Sequence, residues 1–389
     1  MSEINVVLCG DSAEILRQYP DAFFDSVVCD PPYGLSKEPD IIEVLTKWLA
    51  GESYDHGHGG FMGKSWDSFV PHPDVWKEVC RVLKPGGHAL VFAGTRTQDL
   101  MTIAMRLGGF EIRDVIEWLY FSGFPKSMDV GKAFDKRAGV MRKVIVEGPT
   151  VKRMIPGATQ DKTGSWIKDD GRTFTQTITA PATELASKWD GWGTALKPAH
   201  EPIIVARKPL AGTVAETVEK YGTGAINIDG CRIRRAAGDR TEYGVTGDEG
   251  SPTVNAYGQR ERVAYVPDET GRFPANCVTM DKDAFYSPYF NVSPAELSKK
   301  ANKKDRNLCA DGSQSSVPNT HPTVKPTELM RWLIRLVTPP GGTVLDPFAG
   351  SGTTPVAAAM DGFNYVAIDL AQEHVDIINA RRTGAKEAA

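Results

Sequence analysis

Two short segments of this 389-residue chain carry residue types that could do chemistry. The first is Asp30-Pro31-Pro32-Tyr33, directly after the apolar run Ser26-Val27-Val28-Cys29. Two consecutive prolines make a stiff loop that continues neither strand nor helix. Such a loop can fix one carboxylate, two backbone carbonyls and one aromatic face, the groups needed to grip an aromatic amine. The lone pair of such an amine is conjugated into its ring, so the nitrogen is a poor nucleophile. Acceptors at the Asp30 carboxylate and the Pro31 carbonyl would bind its two hydrogens and favour tetrahedral nitrogen. The Tyr33 ring would stack on the amine's ring, worth roughly 1–3 kcal/mol. Taken alone, these four residues are also consistent with a proline-rich turn and nothing more.

The second segment is Asp346-Pro347-Phe348-Ala349-Gly350-Ser351-Gly352-Thr353, between a short apolar run and a helical pattern. Its glycines let the backbone pass close to a ligand at a helix N-terminus. A lone G-x-G is shared with dinucleotide-binding enzymes, whereas the spacing and the Lys-Ser/Thr of a phosphate loop are absent. Further on, Tyr365-Val366-Ala367-Ile368 ends at Asp369. An acid at that strand tip suits a ribose diol, and it suits equally the cap of the following helix.

The elements that must position these segments follow from periodicity. Residues 5–9, 26–29, 89–93 and 115–121 read as strands, and residues 13–18, 73–83 and 97–107 as helices. The C-terminal part repeats that grammar: helix 329–337, strand 344–345, helix 353–360, strand 365–368, helix 373–382. Alternating strands and helices imply a mostly parallel sheet covered on both faces, with ligands beyond the carboxyl ends of its strands. The middle is irregular over 125–194 and 238–271, with strands expected at 201–208 and 225–228.

Composition narrows the class. Apolar residues make up 41% of the chain, enough for a sizeable core, and the formal net charge is −4. That charge is uneven. Residues 130–325 hold 29 Lys/Arg against 23 Asp/Glu, leaving 16 against 26 elsewhere, so a basic middle suited to a polyanion lies between acidic flanks. The six cysteines form no C-x-x-C pair, which argues against a zinc ribbon or a redox dithiol. No apolar run reaches the roughly 18 residues of a membrane span, and the start has no signal pattern, so a cytoplasmic protein is expected. His56-Gly57-His58 lacks a third ligand, so no metal is expected there; residues 51–67 read as a mobile loop. Arg232, Arg234 and Arg235 form one basic cluster, and Lys299, Lys300, Lys303, Lys304 and Arg306 another. Each is a solvated face or a set of phosphate contacts.

Taken together, the two segments resemble the β-group of amino DNA methyltransferases (adenine-N6 and cytosine-N4) of restriction–modification, prophage or solitary type. In that group D/S-P-P-Y precedes a target-recognition region and F-x-G-x-G comes last, the order found here. Gly10-Asp11-Ser12, the stretch Trp118 to Ser127 and His321-Pro322-Thr323-Val324-Lys325-Pro326 add to the match.

The resemblance implies a doubly wound, seven-stranded, Rossmann-like α/β sheet, circularly permuted, with strand 201–208 antiparallel beside 115–121. Residues 1–130 would form the catalytic half, 131–195 an insertion and 196–210 a sheet strand. Residues 211–320 would recognise the target and 321–389 bind the cofactor. Asp30, Pro31, Pro32 and Tyr33 would hold a base flipped out of double-stranded DNA, with loop 51–67 closing over it. Phe348, Gly350, Gly352 and Thr353 would wrap the methionine part of S-adenosylmethionine, with Asp346 near its ammonium and Thr323 and Lys325 near its methionine end. Asp369 would hold the ribose and Asp11 the adenine amino group. Asp30 in first position leans towards N6 of adenine. Cytosine N4 is the alternative, followed by a DNA-binding protein that has lost catalysis. The resemblance also admits a homodimer and a cognate restriction endonuclease as partners.

Overall fold

The computed structural model describes residues 3–34, 38–57, 68–120, 127–152, 173–232, 253–255, 258–260, 271, 273–278 and 301–383. The strands are β1 (Val6–Cys9), β2 (Phe24–Cys29), β3 (Leu83–Phe92), β4 (Glu111–Leu119), β5 (Val144–Lys152), β6 (Thr173–Thr179), β7 (His200–Arg207), β8 (Thr253–Asn255), β9 (Gly258–Arg260), β10 (Cys277–Val278), β11 (Thr343–Asp346) and β12 (Asn364–Asp369). Eight of them form one sheet in the order β1-β12-β11-β2-β3-β7-β4-β10. Seven match the sheet expected from the resemblance. The eighth is β10, a two-residue strand parallel to β4 and too short for any periodicity to announce. As expected, β7 is antiparallel and lies beside β4; its other neighbour is β3.

Period-two alternation sends each strand's side chains to two cores. Val28, Leu90, Phe92, Ile203 and Val205 face one side, against the helix Thr327–Val337. Val27, Cys29, Ala89, Val91, Ile204 and Ala206 face the other, beneath the helices Pro73–Val82 and Gln98–Leu107. The helix Pro73–Val82 starts where it does because His72 Nδ1 accepts from the Asp74 N–H and proline fills the first turn. Its Trp76 is fully buried, and a Cβ added at Gly108 would come 2.6 Å from the Trp76 Cβ. Burying a side chain of that size contributes about 1.5–3 kcal/mol, so Gly108→Ala would disturb this packing.

Residues 127–152 and 173–195 are joined by local contacts. A helix (Val130–Ala138), the hairpin β5–β6 and a helix (Glu184–Lys188) are joined through Asp135, which accepts from the Ala182 and Thr183 N–H groups and the Thr183 hydroxyl. The strand expected at 225–228 is absent. Asn227 Oδ1 accepts from the Gly230 N–H, and the Asn227 N–H is bonded to the Leu336 carbonyl, so turn chemistry overrides the short apolar run. No helix of the described residues is long and apolar enough to cross a membrane.

Candidate active site

Four neighbouring parallel strands deliver carboxylates to one edge of the sheet. In sheet order, Asp11 follows β1, Asp369 ends β12, Asp346 ends β11 and Asp30 follows β2. The winding reverses between β11 and β2, the place where an open α/β sheet forms its crevice. Because β7 runs the other way, its first residues reach this same edge: Glu201 pairs with Trp118 near the end of β4.

Around Asp30 the carboxylates are paired. Lys325 Nζ lies 2.5 Å from Asp30 Oδ2 and 3.3 Å from Glu201 Oε2. Tyr33 donates its hydroxyl to Glu201 Oε2 at 3.2 Å. The ammonium is buried, 5.2 Å from the Tyr33 ring centre and 4.8 Å from that of Phe92. Burial works against this ammonium, but the two carboxylates outweigh it and hold its pKa above the ordinary lysine value. Burial pushes the Asp30 carboxyl up, and Lys325 opposes that push. Asp30 Oδ1 is buried and has no hydrogen-bond partner among the described residues. The loop is held from behind: Thr97 donates to the Tyr33 carbonyl at 2.6 Å. Gly34 takes a positive φ of 65°, where a Cβ would meet the Phe69 and Val70 backbone at 3.0 Å. Pro31 is buried and Pro32 half-buried beneath it.

Around Asp346 no lysine or arginine pairs with the carboxylates among the described residues, and only the His374 ring faces Asp369. Asp346 Oδ1 accepts the Phe348 N–H at 3.1 Å. Burial, reinforced by Asp30 and Asp369, pushes its carboxyl up to about 7. Phe348 packs on Trp76, ring centres 5.9 Å apart. Asp369 Oδ2 accepts the Gly350 N–H at 2.8 Å, while Oδ1 accepts from the Ala371 N–H and faces His374 Nδ1, each at 2.9 Å. Asp369 thus ties the glycine loop to the lead-in of the last helix. Gly350 (φ 54°) and Gly352 (φ 84°) are left-handed, and their missing Cβ atoms would meet the His321 ring and Ile378. The cradle therefore needs glycine for its own packing, whatever the ligand. Thr353 is buried at the start of the helix Thr353–Met360.

The remaining expected residues have these surroundings. Asp11 Oδ1 caps the helix Ser12–Leu16 through the Glu14 N–H. Thr323 is exposed. Lys325 sits with the Asp30 motif. Arg232 donates to Asp229 Oδ1 and the Gly271 carbonyl, which engages the guanidinium expected to read a base. Lys303 and Lys304 are exposed on a short helix. The adjacent Arg306 donates to the His321 carbonyl, and Asn319 to Ser351 Oγ, so this stretch packs on the glycine loop. His56 is buried and stacks on Phe69 with ring centres 5.4 Å apart, where a mobile loop was expected. Arg234, Arg235, Lys299, Lys300 and residues 58–67 lie outside the described residues.

Sequence reasoning missed Glu201 and Arg381. Glu201 had a readable signal, an acid opening an otherwise apolar antiparallel strand. Arg381 is fully buried and donates to the Leu308 and Ser351 carbonyls, clamping the glycine loop from the last helix.

Comparison with known proteins identifies a family. The N6/N4 DNA methylase family matches residues 24–380. The chain is similar to the type II methyltransferase M.HindIII of Haemophilus influenzae, 21% identical over 373 residues, 91% of this chain and 87% of that protein. It is similar over a shorter stretch to M.Cfr9I of Citrobacter freundii, 49% identical over 59 residues, 15% of this chain and 20% of that protein. Among solved structures, the cytosine-N4-specific PvuII DNA methyltransferase is 15% identical with a TM-score of 0.47, covering 99% of this chain and 89% of that one. The chain belongs to the N6/N4 DNA methylase family.

Proposed function

We propose that this protein transfers a methyl group from S-adenosylmethionine to N6 of adenine in double-stranded DNA, acting on a base turned out of the duplex. The observation that carries the reading is Asp30 Oδ1, a buried acceptor without a partner among the described residues, on a rigid loop beside an aromatic ring. Its partner oxygen is fixed by Lys325. Asp30 Oδ1 and the Pro31 carbonyl accept the two hydrogens of the target amine, and Tyr33 stacks on the base. Base flipping costs a few kcal/mol, and fixing the amine in place supplies much of the rate.

S-adenosylmethionine supplies an electrophilic methyl on a sulfonium. The residues present fit it: Asp346 is a buried carboxyl lacking a cation, and this ligand brings an ammonium. Phe348, Gly350, Gly352 and Thr353 line the methionine part, Asp369 faces the ribose and Asp11 the adenine. Lys325 is assigned to Asp30. Lys303 and Lys304 are solvent-facing and suit DNA phosphates. Aspartate at the head of the proline motif favours adenine over cytosine.

The test is nucleoside mass spectrometry of DNA from cells expressing the wild type and Asp30→Ala. N6-methyladenine is expected with the wild type. The variant should lose it by about 10³-fold or more while purified protein still binds S-adenosylmethionine. N4-methylcytosine would replace adenine as the target. Full methylation by Asp30→Ala would remove Asp30 from the chemistry.

A further inference from the structure

Glu201 belongs to neither of the two segments that announce the chemistry, yet it is the hub of the charged cluster. It arrives at the carboxyl edge because β7 alone among the central strands is antiparallel. One of its oxygens meets the Lys325 ammonium at 3.3 Å and the Tyr33 hydroxyl at 3.2 Å. The Tyr120 hydroxyl is bonded to it as well. Lys325 in turn reaches Asp30 Oδ2. One buried ammonium therefore lies between two carboxylates, and the cluster carries a net charge of one negative unit when all three are ionised.

We propose that Glu201 is a positioning residue for methyl transfer, which holds Lys325 and Tyr33 so that Asp30 presents Oδ1 to the target amine, and which stays as the counter-charge of Lys325 once Asp30 has taken up a proton. The inference rests on the role given to Asp30 above. In the transfer, the amine lone pair forms the new N–C bond and the methyl leaves sulfur, whose C–S electron pair stays on sulfur. The positive charge passes to nitrogen, and its surplus proton goes to Asp30 Oδ1. Asp30 is then neutral. Without Glu201, the buried Lys325 ammonium would stand uncompensated at that moment, which a low-dielectric site strongly disfavours.

The groups facing Asp30 are Lys325, Glu201 and Tyr33, with Cys29 on its own strand and Asp346 on the neighbouring one. Glu201 is among the charges that raise the Asp30 carboxyl, so its removal lowers that carboxyl and carries the acid limb of the reaction with it.

The experiment is single-turnover transfer of radiolabelled methyl from saturating S-adenosylmethionine to unmethylated phage λ DNA, as a function of pH. Glu201→Gln should slow transfer by about 10²-fold and move the acid limb to lower pH, with cofactor affinity little changed. Glu201→Asp keeps the charge, so its acid limb should stay at the wild-type position at a reduced rate. A wild-type rate in Glu201→Gln overturns the proposal. So does a slower rate with an unmoved acid limb, which a merely structural role would give, or an equal shift in Glu201→Asp. Asp30→Asn separates the two assignments. If it is active, the role of Asp30 falls; if it is inactive while Glu201→Gln is not, only that of Glu201 falls.

Discussion

Adjacent strands β2 and β11 lead into a half-buried carboxylate, Asp30, and a buried one, Asp346, and the two are treated in opposite ways. Asp30 has an ammonium 2.5 Å away from its own chain, with a second carboxylate behind that ammonium. Asp346 has the Thr354 hydroxyl, a backbone N–H and two neighbouring carboxylates, and burial pushes its carboxyl up to about 7. Burial acts on both, and the presence of Lys325 makes the difference. On the side proposed as catalytic the fold supplies the cation, which fixes one oxygen and leaves the other as an acceptor. On the side proposed for the cofactor the described residues supply no lysine or arginine, which suits a cationic ligand. A perturbed carboxyl in a crevice thus has two meanings, and the local charge inventory tells them apart.

The largest expected effect comes from erasing the difference. Lys325→Met leaves Asp30 as Asp346 now is, buried without a cation. Methyl transfer should fall by about 10²–10³-fold, since removing one member of a buried pair strands the other. Calorimetry on the same variant tells where the lysine acts. A loss confined to transfer keeps Lys325 with Asp30, whereas an equal loss of cofactor affinity would move it to the methionine end, as the family resemblance implied.

The next effect is a pH dependence on the cofactor side. Asp346 is half protonated near 7 and must be ionised to receive an ammonium, so affinity is full above that pH and declines below it. Between pH 7 and 5.5 the dissociation constant for S-adenosylmethionine should rise by roughly fifteenfold. Asp346→Asn should bind more weakly at pH 7 and show a flat profile over the same range. A slope that persists in the variant would assign the proton to another group.

The same contrast explains what was legible in the sequence. The Asp30 and Asp346 segments are contiguous, and each follows an apolar strand, so residue order alone locates them. The antiparallel placement of β7 was legible too. The joining of Glu201, Lys325 and Asp30 was not, because it depends on three strands and a loop brought together across the chain. Arg381 looked like an ordinary polar position on a terminal helix, and only packing shows that its guanidinium holds the Ser351 carbonyl. In the insertion, Asp135 collects three donors and ties helix to hairpin, an arrangement with no period to betray it. The two-residue strand β10 is set by its pairing with Glu117 and Trp118 rather than by its own residues.

The smallest effect concerns Tyr33, where ring and hydroxyl serve different partners. The ring lies under Lys325 and is the face proposed above for the base; the hydroxyl is bound to Glu201. Tyr33→Phe removes only the hydroxyl, a loss of about 0.5–1.5 kcal/mol for one hydrogen bond, and transfer should slow by a few-fold to about tenfold. Tyr33→Ala removes the stacking face as well, a further 1–3 kcal/mol or so, and should be clearly slower than the phenylalanine variant. Single-turnover rates on DNA compare the two. Equal losses would mean that the anchor to Glu201, rather than the aromatic face, is what the tyrosine contributes. Neither change touches Asp346, so cofactor affinity should stay at the wild-type value in both; if it fell in step with transfer, the two sides of the edge would be one electrostatic unit and the contrast between them would not hold.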